Sequence, residues 1–449
     1  MSKINNETDL EYKRRVIDIK SESFCGAKWY NATIWLGSGL TTSCHHPLPH
    51  FVPVEDVVKN PSALHNTPQK KLDRAMMQRG ERPPGCEYCW KIEDMGVDAV
   101  SDRVYKTQIF SDDHLNVAFK LPPETDVHLK TLEISFDRTC QFACSYCTPG
   151  TSSTWVKDIK TNGPYQNLVT HGKYHYTHTH ESSQLYTINQ VNPYIEAFFK
   201  WWDSQLHQTL DELRITGGEP LMSGYTWQLF EWFKQNRGKS KTRLALNSNL
   251  GTEVDLDRLI NLLDGIEFDL YTSVETVGAH AEYLRDGLVW DDWFNNVERI
   301  LKSDKFRGLH IMMTINALCL DGITLLLDQI LEWKKEYGRD FPNFTLNIMR
   351  FPSFQSALIL PDYLRNHYIG RLQLWLDNNK NNPLLHEMEI ANITRVINYL
   401  DVVKTPYENA GDVETLRSDF KSFFVQYDQR RGKNFVETFP ALADWYNSL

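Results

Sequence analysis

The sequence predicts an α/β protein: a partial (β/α)6 barrel over residues 131–350, preceded by a small cysteine-rich module (1–130) and followed by a mainly helical region (351–449). Three observations predict it. Strand-like and helix-like patterns alternate through the middle of the chain, as parallel βαβ units require. Seven of the eight cysteines fall in the first third, at 25, 44, 86, 89, 140, 144 and 147, and the eighth is at 319. Beyond residue 361, Leu, Ile, Phe and Trp recur at helical spacing with no further cysteine. The 449 residues, at ~150 per domain, agree with about three regions.

Composition narrows the class. Apolar residues at 41% and charged residues at 24% exclude disordered and collagen-like chains. Lys and Arg total 48 against 58 Asp and Glu, so the net charge is −10. An acidic chain argues against nonspecific binding to a polynucleotide or an anionic membrane. No apolar run reaches the ~18 residues of a membrane span. Residues 1–20 mix Glu7, Asp9 and Glu11 with Lys13, Arg14 and Arg15 and lack the apolar stretch of a targeting segment. A cytoplasmic protein is expected, and there cysteines point to metal ligands or buried small side chains rather than disulfides.

In the N-terminal region, Cys25, Gly39 and Cys44 are followed by Cys86-x2-Cys89 inside Pro83-Pro84-Gly85-Cys86-Glu87-Tyr88-Cys89-Trp90. Four cysteines can close an iron–sulfur cube. Zinc is the rival, because Cys86 and Cys89 have zinc-knuckle spacing and His45, His46 and His50 follow Cys44. The histidines read as loop residues.

The barrel strands are expected at 131–136, 211–216, 242–247, 266–273, 308–315 and 343–348, with helices at 192–207, 225–236, 255–264, 277–302 and 322–336. The first strand alternates as Leu132-Glu133-Ile134-Ser135-Phe136 and ends just before Cys140-x3-Cys144-x2-Cys147. Three close thiolates suit an iron–sulfur cluster and leave one iron open for a ligand. They fit a closed zinc site poorly, since no fourth Cys or His stands near. Thr216-Gly217-Gly218-Glu219-Pro220 follows the second strand, Asn247-Ser248-Asn249 the third, and Ser273-Val274-Glu275 the fourth, with Arg285 ten residues on. Each is a turn or cap when taken singly. Polar groups at successive strand ends, however, converge on one rim of a barrel.

An insertion at 160–190 carries His171, His175, His178 and His180. It reads as a solvated segment over the mouth of the site, placed to contact substrate, rather than as a metal site. Cys319 reads as a buried small thiol. The segment Arg350-Phe351-Pro352-Ser353-Phe354 is placed to line the pocket, and the C-terminal helices to pack on the barrel.

Cys140-x3-Cys144-x-Tyr146-Cys147 and Gly217-Gly218-Glu219-Pro220 resemble the two motifs of the radical S-adenosylmethionine (radical SAM) enzyme superfamily, over about half the chain. The resemblance implies a TIM-like partial barrel whose Cys140, Cys144 and Cys147 hold a 4Fe–4S cluster. It implies that the open iron binds S-adenosylmethionine, and that one electron cleaves it to methionine and a 5′-deoxyadenosyl radical that abstracts hydrogen from substrate. Gly217, Gly218 and Glu219 would contact the methionyl amine. Ser273 and Glu275 resemble the ribose-side polar residues. Arg285 would meet the carboxylate, Asn247 and Asn249 stand where the family often has Thr-Asn-Gly, and Tyr146 would lie near the adenine. Cys25, Cys44, Cys86 and Cys89 resemble the auxiliary-cluster module called SPASM, or its shorter twitch form, which usually follows the barrel and here precedes it. A second 4Fe–4S cluster and a low-potential donor of the flavodoxin or ferredoxin type are thus implied, with a peptide or small molecule as substrate and an oxidoreductase- or transferase-type reaction. The competing readings are a zinc-bound, non-enzymatic scaffold and a degenerate protein that binds the cofactor without turnover.

Overall fold

The computed structural model describes residues 4, 6–96, 98–187, 190–403 and 412–449. The described residues form strands β1 Asn31–Trp35, β2 Leu40–Thr42, β3 His50–Phe51, β4 Thr131–Ser135, β5 Ala143–Cys144, β6 Glu212–Thr216, β7 Arg243–Ser248, β8 Phe268–Ser273, β9 Arg285–Asp286, β10 Gly308–Ile315 and β11 Asn343–Ile348. The six strands expected from the pattern are β4, β6, β7, β8, β10 and β11. The fold class is α/β, and residues after 361 are largely helical, in Asp362–Asn379, Glu387–Val402 and Val413–Arg431. No helix among the described residues is long and apolar enough to cross a membrane.

The chain divides into two compact units, the first drawn from 1–137, 184–216 and 232–244, the second from 138–183, 217–231 and 245–449. In the first unit β6, β4 and β1 run parallel, β2 adds antiparallel to β1, and β3 antiparallel to β2. The alternation along the sequence left residues 31–35 outside the barrel pattern, yet Asn31 pairs with Thr131 and Trp35 with Ser135 in register. Period-two patterning then sorts the side chains. Ala32, Ile34, Leu132, Ile134, Leu213 and Ile215 are all buried. Asn31, Thr33, Thr131, Glu133, Glu212 and Arg214 take the other face and line a polar cavity with His45 and Lys106.

In the second unit β11, β10 and β8 are parallel, with Ile315 opposite Ile348 and Met312 opposite both Thr345 and Ser273. One expected element is corrected here. The helix read over 277–302 is two helices, Gly278–Leu284 and Trp290–Lys302, broken by β9. The break turns on Gly287, whose φ of 102° lies in the left-handed region that favours glycine. A Cβ there would also stand 2.9 Å from the Phe142 ring. The freed segment pairs antiparallel with β5, setting Arg285 opposite Cys144.

The 160–190 insertion also departs from the solvated segment expected of it. Tyr165 and Tyr176 are core residues, packed around Trp155 and Phe423. The Tyr176 hydroxyl donates to the Ser145 carbonyl at 2.6 Å, and Gln355 Nε2 donates to the same oxygen at 2.9 Å. The insertion therefore clamps the backbone between Cys144 and Tyr146. Phe354, expected at a pocket wall, is buried against Tyr176 and Phe423 instead. Tyr176→Phe removes the hydroxyl that donates to the Ser145 carbonyl and accepts from Gln355 Nε2 at 3.3 Å, while the carbonyl keeps Gln355, so a loss of about 1–2 kcal/mol is expected in chemical denaturation of the apoprotein. Tyr174→Phe, at an exposed ring, is the control expected to leave the midpoint unchanged. Equal midpoints for the two variants would contradict the clamp.

Candidate functional site

The three closely spaced cysteines lie in the second unit, on the loop that leaves β4 and passes through β5. Local polar contacts fix that loop. Ser152 caps the helix Ser153–Asn162 and donates to the Phe142 carbonyl at 2.6 Å. Thr154 Oγ1 donates to the Cys140 carbonyl at 2.7 Å, and Trp155 Nε1 to the Cys144 carbonyl at 3.0 Å. From the other side Tyr427 reaches the Ala143 carbonyl.

The thiols feel one another strongly. Desolvation, and next the neighbouring Cys144, push Cys140 up to about 12. The hydrogen bond between Cys144 and Cys147 raises Cys144 and lowers Cys147. Three thiolates gathered in a partly buried site are stabilised by a cationic partner.

The Gly-Gly-Glu segment packs directly on this loop. A Cβ on Gly218 would fall 2.3 Å from the Thr139 carbonyl oxygen, so only glycine fits. The Glu219 amide donates to that same oxygen at 2.7 Å. The Glu219 carboxylate, 1% exposed, accepts from the amides of Asn249 at 2.6 Å and Leu221 at 3.0 Å and from Ser248 Oγ at 3.0 Å. Burial raises it to about 7 against the pull of those three donors. Asn249 then closes the circuit: its Nδ2 lies 3.9 Å from Cys140 Sγ and donates to Gln141 Oε1 at 3.2 Å.

A second set of contacts gathers around Glu275. Its carboxylate accepts from Tyr146 Oη at 2.7 Å, from Arg285 Nε at 2.9 Å and from Arg285 Nη2 at 2.6 Å. The remaining guanidinium nitrogen, Nη1, lies 3.7 Å from Cys144 Sγ. The Arg285 and Glu275 side chains are 7% and 0% exposed, so this ion pair is held without water. Of the other residues expected here, Gly217 turns the chain at φ 136°. Asn247 approaches Met312 Sδ at 3.7 Å, and Ser273 stands opposite Met312 in register. Sequence reasoning passed over Ser248, Gln141 and Ser145. Ser248 stood between two selected asparagines, but nothing local tied it to Glu219. Cys319 is buried, with its thiol donating to the Asn316 carbonyl.

The other four cysteines lie in the first unit. Cys25, Cys44, Cys86 and Cys89, each under 10% exposed, line one cavity together with Lys28, His46, Arg103 and Lys106. Burial pushes Cys86 up to about 12 and Cys89 to about 11, with mutual repulsion from Cys25 adding to both. His46 Nε2 pairs with Asp102 at 2.7 Å, and its ring stacks on Tyr88, so it is tied away from a ligand role.

Among the described residues no three Cys, His, Asp or Glu side chains converge on one ion. An iron–sulfur cube takes one thiolate per iron and does not require that convergence. Both donor sets are all-thiol, desolvated and faced by cations, which fits an anionic cluster with cysteine ligands.

No family model and no curated protein matches the chain. Solved structures do. Streptococcus suis SuiB is 14% identical, with a TM-score of 0.36, over 71% of this chain and 66% of its own. SuiB bound to S-adenosylmethionine matches at the same identity and TM-score over 70% and 64%. Native anSMEcpe with bound AdoMet and Cp18Cys peptide is 14% identical, with a TM-score of 0.32, over 56% and 61%. The chain thus spans less than two thirds of the length of these solved chains. At these scores the likeness carries no residue roles across, and the site is read from its own geometry.

Proposed function

We infer that the chain is a radical SAM enzyme acting on a peptide or small molecule. The observation that carries this is the meeting of two distant motifs in one buried site: Asn249 touches both Cys140 and Glu219, and Arg285 touches both Cys144 and Glu275. Cys140, Cys144 and Cys147 would hold a 4Fe–4S cluster. When bound, that cluster supplies the electron that cleaves the sulfonium of S-adenosylmethionine to methionine and a 5′-deoxyadenosyl radical.

The chain's own residues bind, orient and shield. Glu219, immobilised by three donors, would accept from the methionyl amine, beside the Gly217–Gly218 backbone. Arg285 has Nε and Nη2 committed to Glu275, so Nη1 is the donor it would offer a carboxylate. Glu275 and Ser273 would face the ribose, Tyr146 the adenine, and Asn247 and Asn249 would complete the rim. Cys25, Cys44, Cys86 and Cys89 would hold an auxiliary cluster in the first unit. The electron would come from a flavodoxin- or ferredoxin-type donor.

Anaerobic reconstitution tests this reading. Roughly eight irons per chain are expected, two cubes of four. Dithionite with S-adenosylmethionine should then yield 5′-deoxyadenosine, detected chromatographically without knowledge of the substrate. Iron-loaded protein that forms none would overturn the reading. Zinc without iron, after both aerobic and anaerobic purification, would instead favour the scaffold.

A further inference from the structure

Two of the cations that face the four-cysteine cavity of the first unit share one construction. Lys28 Nζ sits 2.5 Å from Asp73 Oδ2, with side chains 3% and 9% exposed. Arg103 gives Nε and Nη2 to Glu93 at 2.6 and 2.7 Å and Nη2 to Asp18 at 3.1 Å. In both cases the cation lines the cavity and the carboxylate stands behind it, since Asp73, Glu93 and Asp18 do not line it. The Lys28–Asp73 pair is about as enclosed as Arg103–Glu93, whose side chains are 2% and 8% exposed. Asp73 is itself held by Gln69, whose Nε2 donates to its Oδ1 at 3.0 Å.

We propose that Lys28, anchored by Asp73, is a positioning residue that raises the reduction potential of a cluster bound by Cys25, Cys44, Cys86 and Cys89. This rests on the auxiliary-cluster reading given above. Reduction adds one negative charge to the cluster, and a fixed cation in a desolvated cavity stabilises that charge far more than it would in water. Asp73 opposes the effect from a greater remove, since Lys28 lines the cavity and Asp73 does not. The pair therefore acts as an oriented dipole with its positive end toward the thiols. A cluster so placed favours accepting an electron over donating one.

The test uses the full chain with Cys140, Cys144 and Cys147 replaced by alanine, so that only the first-unit cluster reports. Iron analysis of this background, reconstituted anaerobically, should give about four irons per chain. Its midpoint is then read by EPR-monitored titration and compared with Lys28→Met and Lys28→Arg in the same background. Lys28→Met strands a buried Asp73, so Lys28→Met/Asp73→Asn serves as the variant that removes the whole pair and keeps the packing. The lysine-less variants should become harder to reduce by tenfold or more in equilibrium constant, a fall of at least about 59 mV for one electron. Lys28→Arg should stay near the parent. Iron-replete variants with the parent's midpoint would overturn the inference and leave the auxiliary cluster standing. Loss of iron from both lysine-less variants would also overturn it, since the pair would then hold the fold rather than the potential. A background that binds no iron would remove the auxiliary-cluster reading itself, and the inference with it.

Discussion

Cys144→Ala is expected to abolish 5′-deoxyadenosine formation and to lower the iron content from roughly eight to roughly four per chain. Cys144 is the middle thiol of the three and the most constrained. Its sulfur exchanges a hydrogen bond with Cys147 and lies 3.7 Å from Arg285 Nη1. A cluster with two remaining thiolates loses the ligand that sits deepest in the chain. The four-cysteine set is assembled entirely from first-unit residues, so its iron should remain. Cys319→Ala is the matched control: the thiol is equally buried, but it is hydrogen-bonded only within its own turn. Both variants should fold, because a thiol-to-methyl change removes little volume. Full activity in Cys144→Ala would contradict the assignment of the trio outright. Loss of all eight irons would show that the two sites load as one.

Arg285→Leu should be the most destabilising single change in the second unit outside its apolar core. Removing the guanidinium leaves Glu275 at 0% exposure with Tyr146 Oη and the Thr314 amide as partners. Stranding one member of a buried ion pair costs about 3–5 kcal/mol. Leucine fills most of the space without replacing the charge. Arg285→Leu/Glu275→Leu removes both charges and should recover most of that loss, since a buried pair is often neutral against a hydrophobic replacement. The coupling between the two sites, read from a double-mutant cycle on denaturant unfolding of the apoprotein, should therefore be large. A single-variant loss under about 1 kcal/mol would mean that water reaches Glu275 and that the pair is not the rigid element described here. Neither variant should support cleavage of S-adenosylmethionine, because both remove the cation beside Cys144.

The local record of this chain was unusually readable where chemistry is packed into short spacing. Three thiols within eight residues, soon after a strand, pointed to a thiol-bearing loop at a strand end, and Gly217-Gly218-Glu219 to a close backbone approach. The structure gives the second motif its physical cause, since Gly218 has no room for a Cβ against Thr139. Each of the six barrel strands was visible because period-two alternation and helical periodicity are properties of a dozen neighbouring residues. The 277–302 helix failed for the same reason. Its periodicity continues across Arg285, and what breaks it is pairing with β5, some 140 residues earlier. The Asp286-Gly287 turn signal was there to be read, but nothing local said that it outweighed the helical pattern.

By itself, then, the sequence determined the strand and helix alternation, the two groups of cysteines and the glycines that let backbone approach backbone. Each is set by the conformational limits of adjacent residues or by the short reach of a thiol. Only the tertiary structure decided which charges stand beside the sulfurs. Arg285 comes to Cys144 through an antiparallel bridge, Tyr176 clamps Ser145 from within the insertion, and Lys28 with Asp73 faces the first-unit cavity across 45 residues of chain. Those partners are chosen by desolvation: a buried charge or hydroxyl must find its counterpart in space, and distance along the chain carries no information about where that counterpart lies.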